Sequence, residues 1–131
     1  MAKINMVTES IKKVRMRPYP HILHLVVTNN TYEWLNKKWP SVKWNKNAYA
    51  TTTSRGFQIY MVMPMKCGVA AIAHEALHVV KTIMDDVGAD FEEEVWAYHL
   101  QEIVEVAAIF VHNRRKYGKG KNIRRVHSRT A

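Results

Sequence analysis

The stretch Ala71-Ile72-Ala73-His74-Glu75-Ala76-Leu77-His78-Val79-Val80 decides how the rest of the chain is read. Apolar residues at 69, 72, 73, 76, 80, 83 and 87 recur at i, i+3, i+4 and i+7, which predicts one helix from about residue 67 to 87 with that stripe turned inward. His74 and His78 stand one turn apart on a single face, roughly opposite Ala76. Small Ala70, Ala71 and Val79 beside them predict a largely apolar wall, in which an uncoordinated imidazole needs another partner. His-Glu-x-x-His suits zinc, because two imidazoles at this spacing supply two of the three protein ligands of an open site without distorting the helix. The carboxylate of Glu75 flanks the first imidazole, where it can take a proton from water held on the ion. The plain alternative is a pair of surface histidines, with Lys81 and Asp85 continuing a solvated face.

A third ligand is expected from the next element. Asp85-Asp86-Val87-Gly88 ends the first helix on a glycine suited to the left-handed position past a C-terminus, and Ala89-Asp90 opens another helix. Asp90 and Glu93 have the spacing of a capping box, which spends Glu93 on the cap and leaves Glu92 as a partner of the helix dipole. Glu94 is then free to project and is the favoured ligand, with Glu93 as runner-up. This helix continues to about residue 113, with Trp96, Leu100, Ile103, Val104, Ala107, Phe110 and Val111 as its core stripe. Tyr98 and Gln101 share a flank with Glu94, and either can donate to the oxyanion of a hydrated carbonyl or support a ligand.

His74-Glu75-Ala76-Leu77-His78, followed by Glu94-Val95-Trp96-Ala97-Tyr98 on a second helix, resembles the gluzincin metallopeptidases. The likeness is to their smallest single-domain forms and to short phage-encoded proteins of that type, and it runs from about residue 50 to 112. It implies Zn2+ held by His74, His78 and Glu94, with Glu75 as general base in peptide-bond hydrolysis. In that family a sheet-edge strand pairs with an extended peptide substrate. Residues 57–63 are the corresponding run here, with Phe57, Ile59 and Met61 as candidate substrate contacts. One position departs from the pattern: larger gluzincins usually carry Asp four residues after the ligand Glu, where this chain has Tyr98. Orienting one imidazole then falls to Tyr98 or to a backbone carbonyl. The metzincin pattern is excluded, since Lys81 and Met84 stand where its Gly and third His belong.

The rest of the chain fits one small domain. With 131 residues, 47% of them hydrophobic, it has enough apolar surface for a modest core. The N-terminus has no continuous apolar run of the secretory kind, and no stretch reaches the length of a membrane span. Cys67 is alone, so no intrachain disulfide forms; it reads as a small core residue in a protein of a reducing cytoplasm, a host's if phage-encoded. Pro18-Tyr19-Pro20 predicts an extended lead-in to a buried strand over 21–27, with His21 and His24 on opposite faces and neither read as a ligand. Asn30 and Glu33 cap a short helix that stops at Pro40 and packs through Tyr32, Trp34, Leu35 and Trp39. Two β-prone runs, 48–53 and 57–63, form a hairpin around Ser54-Arg55-Gly56.

The net charge of +9 is uneven, at +4 for residues 1–17, −3 for 18–111 and +8 for 112–131. This predicts a basic N-terminal arm over 1–17, a metal-binding domain over 18–113 and a basic tail over 114–131. Arg114, Arg115, Lys116, Arg124 and Arg125 are its candidate contacts for nucleic acid or an acidic partner. The expected architecture is α+β and zincin-like: about three strands packed on two long helices, plus a short N-terminal helix, acting on a peptide or protein substrate. The rival is an inactive zincin-like interaction protein that binds through its basic ends. A purely structural zinc fits less well, since such sites usually take four Cys-rich ligands.

Overall fold

Residues 22–28, Ile-Leu-His-Leu-Val-Val-Thr, are apolar at almost every position, and a run of that kind is stable only where both faces and both edges are covered. The computed structural model, which describes residues 6–89 and 92–117, places it so. The chain runs β1 (Glu9–Arg15), β2 (Ile22–Thr28), α1 (Thr31–Lys38), β3 (Thr51–Arg55), β4 (Gln58–Pro64), α2 (Val69–Val87) and α3 (Glu93–Tyr117). β2 pairs antiparallel with β1 and parallel with β4, and β3 closes the sheet antiparallel to β4, giving the order β1-β2-β4-β3.

The architecture is α+β as expected, with four strands where about three are predicted. The additional strand is β1, inside the segment whose charge reads as an arm. Its residues alternate, with Ser10, Lys12 and Val14 half-buried and Ile11, Lys13 and Arg15 exposed, and its lysines suit an edge that must not pair with other sheets. Pro18-Tyr19-Pro20 is accordingly a tight turn between β1 and β2. There the Tyr19 N–H donates to the Met16 carbonyl at 2.9 Å, and the Met16 N–H to that of His21 at 3.1 Å.

Strand alternation sorts the side chains into two layers. Leu23, Leu25 and Val27 of β2 join Ile59, Met61 and Met63 of β4 on one face, under Ile72, Ala76, Val80 and Ile83 of α2 and Ile103 and Ala107 of α3. On the other face Val26 and Val62 lie beneath Trp34 and Leu35 of α1, with Trp39, Trp44 and Tyr60 packed around them. Directly paired residues share a face. One row on the α1 side is therefore Lys13, His24, Tyr60 and Thr53, and the next is Arg15, Ile22, Gln58 and Arg55.

The helix ends follow local chemistry. The Asn30 side chain accepts from the Glu33 N–H at 3.0 Å, as its spacing predicts. Gly88 closes α2 at φ 68°, a conformation that favours glycine, and its N–H donates to the Asp85 carbonyl at 3.2 Å. The start of α3 differs from expectation, because the Glu92 carboxylate takes the cap, accepting from the Val95 N–H at 3.0 Å. Asp90, the other half of the expected box, lies outside the described residues. α3 runs on to Tyr117, which carries Arg114 into the folded domain at 3% exposure, its guanidinium 5.6 Å from the Phe110 ring. Arg114 is thus a packed residue of α3 rather than part of a tail. Arg115 and Lys116 belong to the last turn of the same helix, and Arg124 and Arg125 lie outside the described residues. No described helix is long and apolar enough to cross a membrane.

Candidate metal site

Because the stripe Ile72, Ala76, Val79, Val80 and Ile83 faces the sheet, α2 turns His74 and His78 to solvent. Their Nε2 atoms stand 3.3 Å apart with the rings edge to face. Zinc–nitrogen bonds of about 2.0–2.1 Å at a tetrahedral angle require a separation of about 3.3 Å. Two of the ligand positions therefore fit the ion. The surroundings differ from the apolar wall predicted: the His74 side chain is 70% exposed, because Val79, expected beside the pair, packs on the core side of the helix instead.

Glu75 takes the opposite course and is 7% exposed on the flank of α2 that meets β3. A buried carboxylate is costly unless hydrogen-bonded. The Thr52 hydroxyl donates to its Oε1 at 2.8 Å, while Oε2 stands 4.0 Å from His74 Nε2. One carboxylate oxygen is thus fixed from the sheet and the other is held near the histidine pair. Thr52 reaches it because it pairs with Met61 and so shares the α2 face of the sheet. Cys67 lies buried nearby, and burial, helped by the negative charge of Glu75, pushes its thiol from 9.0 to about 11. It therefore stays a neutral thiol at ordinary pH, a core residue as its sequence context predicts.

Between β3 and α2 opens a cleft of about 510 Å³, lined by residues 50–54 together with Glu75, His78 and Thr82. Its walls are rich in hydroxyls. The edge strand beside it is β3, which corrects the expectation for residues 57–63: β4 is paired on both sides, and Ile59 and Met61 are fully buried beneath the helices. Phe57 sits half-exposed in the β3–β4 turn, its ring 4.9 Å from that of His21. None of the three lines the cleft.

Glu93 and Glu94 are exposed in the first turn of α3. Among the described residues no three His, Cys, Asp or Glu side chains converge on a metal position, so neither glutamate is brought to the histidine pair. Tyr98, 67% exposed, lines a separate hollow with Arg17, Gln101 and Glu102, away from the cleft. Three other histidines have partners of their own: His21 bonds Asp86 at 2.8 Å, His24 bonds Gln58 at 2.7 Å, and His99 bonds the Tyr19 hydroxyl at 2.9 Å. Thr52 and Thr82, whose hydroxyl donates to the His78 carbonyl at 2.8 Å, are the site residues that sequence patterns do not reveal. In Thr51-Thr52-Thr53 only the strand phase singles out the middle one.

No family model matches the chain, and no match is found among curated proteins or solved structures.

Proposed function

We propose that the chain is a zinc-dependent metallopeptidase of gluzincin type. The observation that carries this is the pairing of two solvent-facing imidazoles at zinc-chelating separation with a buried carboxylate whose second oxygen lies 4.0 Å from one of them. His74 and His78 would hold the ion, with Glu94 as third ligand, which requires the first turn of α3 to draw toward α2 on binding. Bound there, the ion supplies Lewis-acid polarisation to a carbonyl in the cleft.

The chain's own residues do the rest. Thr52 fixes Oε1 of Glu75, which leaves Oε2 to take a proton from the attacking water and return it to the leaving amine. The free edge of β3 offers main-chain groups for an extended peptide by strand addition, the role foreseen for residues 57–63. The lone, buried Cys67 suits work in a reducing cytoplasm.

Metal content of the purified protein by elemental mass spectrometry tests the site. About one zinc per chain is expected, none after His74→Ala with His78→Ala, and less after Glu94→Gln. Glu75→Gln should keep the zinc and lose hydrolysis of a peptide library. Chain that takes up no zinc at neutral pH, or a Glu75→Gln variant that still cleaves, would overturn the proposal.

A further inference from the structure

The α1 side of the sheet carries a second surface whose chemistry the cleft does not use. By register, Lys13 and Arg15 of β1 and Arg55 of β3 project from it, and Lys37 and Lys38 belong to the helix that lies on it. Lys43 and Lys46 flank Trp44 in the loop that follows. Against these seven cations stand Glu33 and Glu9, and Glu9 already accepts from the Trp34 indole at 2.7 Å. Among the described residues none of the seven cations forms an ion pair with a carboxylate. The acids gather on the other side, where α2 and α3 carry Glu75, Asp85, Asp86, Glu93, Glu94, Glu102 and Glu105. A face with so little internal counter-charge is built to meet an anion.

The cations are interleaved with rings, of which Trp39, Trp44 and Tyr60 are half-buried and Trp34 and His24 buried. The Arg55 guanidinium lies 4.6 Å over Trp39, and the Lys38 ammonium stands 5.6 Å from Tyr60 and 5.8 Å from Trp34. Trp39 meets Tyr60 at 4.9 Å and Trp44 at 6.0 Å, and Tyr60 stacks on His24 at 4.3 Å. Tyr60 packs against the α1 cluster with part of its ring still open to solvent, and the Gln58 row lies beyond it, so this side of the sheet has aromatic rings at its centre and cations at its rim.

We infer that this face binds single-stranded nucleic acid, with phosphates on Lys13, Arg15, Lys38 and Arg55 and bases on Trp39 and Tyr60. Rings set among cations serve a partner that has both flat faces and phosphates. An acidic peptide or an anionic membrane would use the cations alone, and a duplex would hide its base faces. This surface is part of the folded domain, independent of the C-terminal basic residues and of zinc.

The test uses the full chain and fluorescein-labelled oligothymidylate and oligouridylate of roughly 12 nucleotides, within the usual site size of sheet platforms. Anisotropy titrations across salt concentrations should give a log–log slope of about −3 for four phosphate contacts, with tryptophan emission quenched at saturation. Lys13→Glu with Arg15→Glu and Arg55→Glu should weaken binding at least about tenfold and flatten the slope by about 2. Arg124→Glu with Arg125→Glu should cost far less. Circular dichroism checks the folding of the triple variant, and Lys38→Gln with Arg55→Gln replaces it if it fails. Absence of binding at low salt, wild-type affinity in the face variants, unchanged tryptophan emission, or equal competition by polyglutamate, anionic vesicles or duplex would each overturn the inference.

Discussion

The two faces of the sheet are made from the same strands and have little else in common. On the side of α2 and α3 the strands present Leu, Val, Ile and Met, packed dry, with one buried carboxylate held by a threonine. On the side of α1 they present Val26 and Val62 beneath the helix and, beside these, a buried His24, half-buried Tyr60 and Gln58 and an exposed Arg55, rimmed by cations. The contrast teaches that stability and recognition are divided here by strand phase. Rings that keep polar handles and cationic neighbours contribute less to the core than aliphatic side chains, and they leave a surface free to meet something else.

The largest test of that division is a pair of truncations at neighbouring residues. Met61→Ala, on the dry face, should cost about 2–5 kcal/mol in urea unfolding, and Tyr60→Ala on the other face clearly less. A greater loss at Tyr60 would break the comparison, and a Met61→Ala chain of normal stability with weakened substrate binding would restore residues 57–63 as the substrate strand. Next comes the metal. Zinc at about a hundred times its Kd should stabilise the wild type by about 2.7 kcal/mol and leave His74→Ala with His78→Ala unmoved. Without zinc that double variant should unfold within about 0.5 kcal/mol of wild type, since both rings face solvent.

Smaller effects sharpen the contrast within β3. Thr52→Val strands a buried carboxylate oxygen and should cost about 1–3 kcal/mol, with Thr52→Ser restoring most of it. Thr53→Val, on the α1 face, should change stability far less, and equal losses at the two positions would contradict the assigned phase. The smallest effect at ordinary pH concerns Cys67. Its folded pKa, about 11, lies above the 9.0 of the free thiol, so its contribution is complete below pH 9 and is lost as pH rises toward 11. Native protein at pH 8 should resist thiol-specific reagents that label the unfolded chain at once.

Much of the fold is legible where one short-range rule governs. The apolar stripe of α2, the Gly88 terminus and the Asn30 cap each depend on residues within a few positions of one another. The hairpin is legible too, but its turn falls at Gly56-Phe57 rather than over Ser54-Arg55-Gly56, because Ser54 and Arg55 pair with Ile59 and Gln58. β1 escapes because three of its seven residues are Lys or Arg, and charge count outweighs a weak alternation on an edge strand. The place of β4 escapes for another reason. Which strand is interior depends on the parallel pairing of residues 22–28 with 58–64, a long-range choice that local pattern does not encode. At the site, the spacing of His74, Glu75 and His78 is readable and their contrasting burial is not, since it depends on where β3 lies against α2.

β3 is five residues long and belongs to both surfaces at once. Thr52 steadies the carboxylate beside the histidines, while Thr53 and Arg55 look the other way among the rings. If β3 shifts as one unit, whatever pins it from one side changes the alignment felt on the other. Thermodynamic linkage makes that influence mutual: if an occupant of the aromatic face altered the affinity of the cleft, an occupant of the cleft would alter the aromatic face by the same factor.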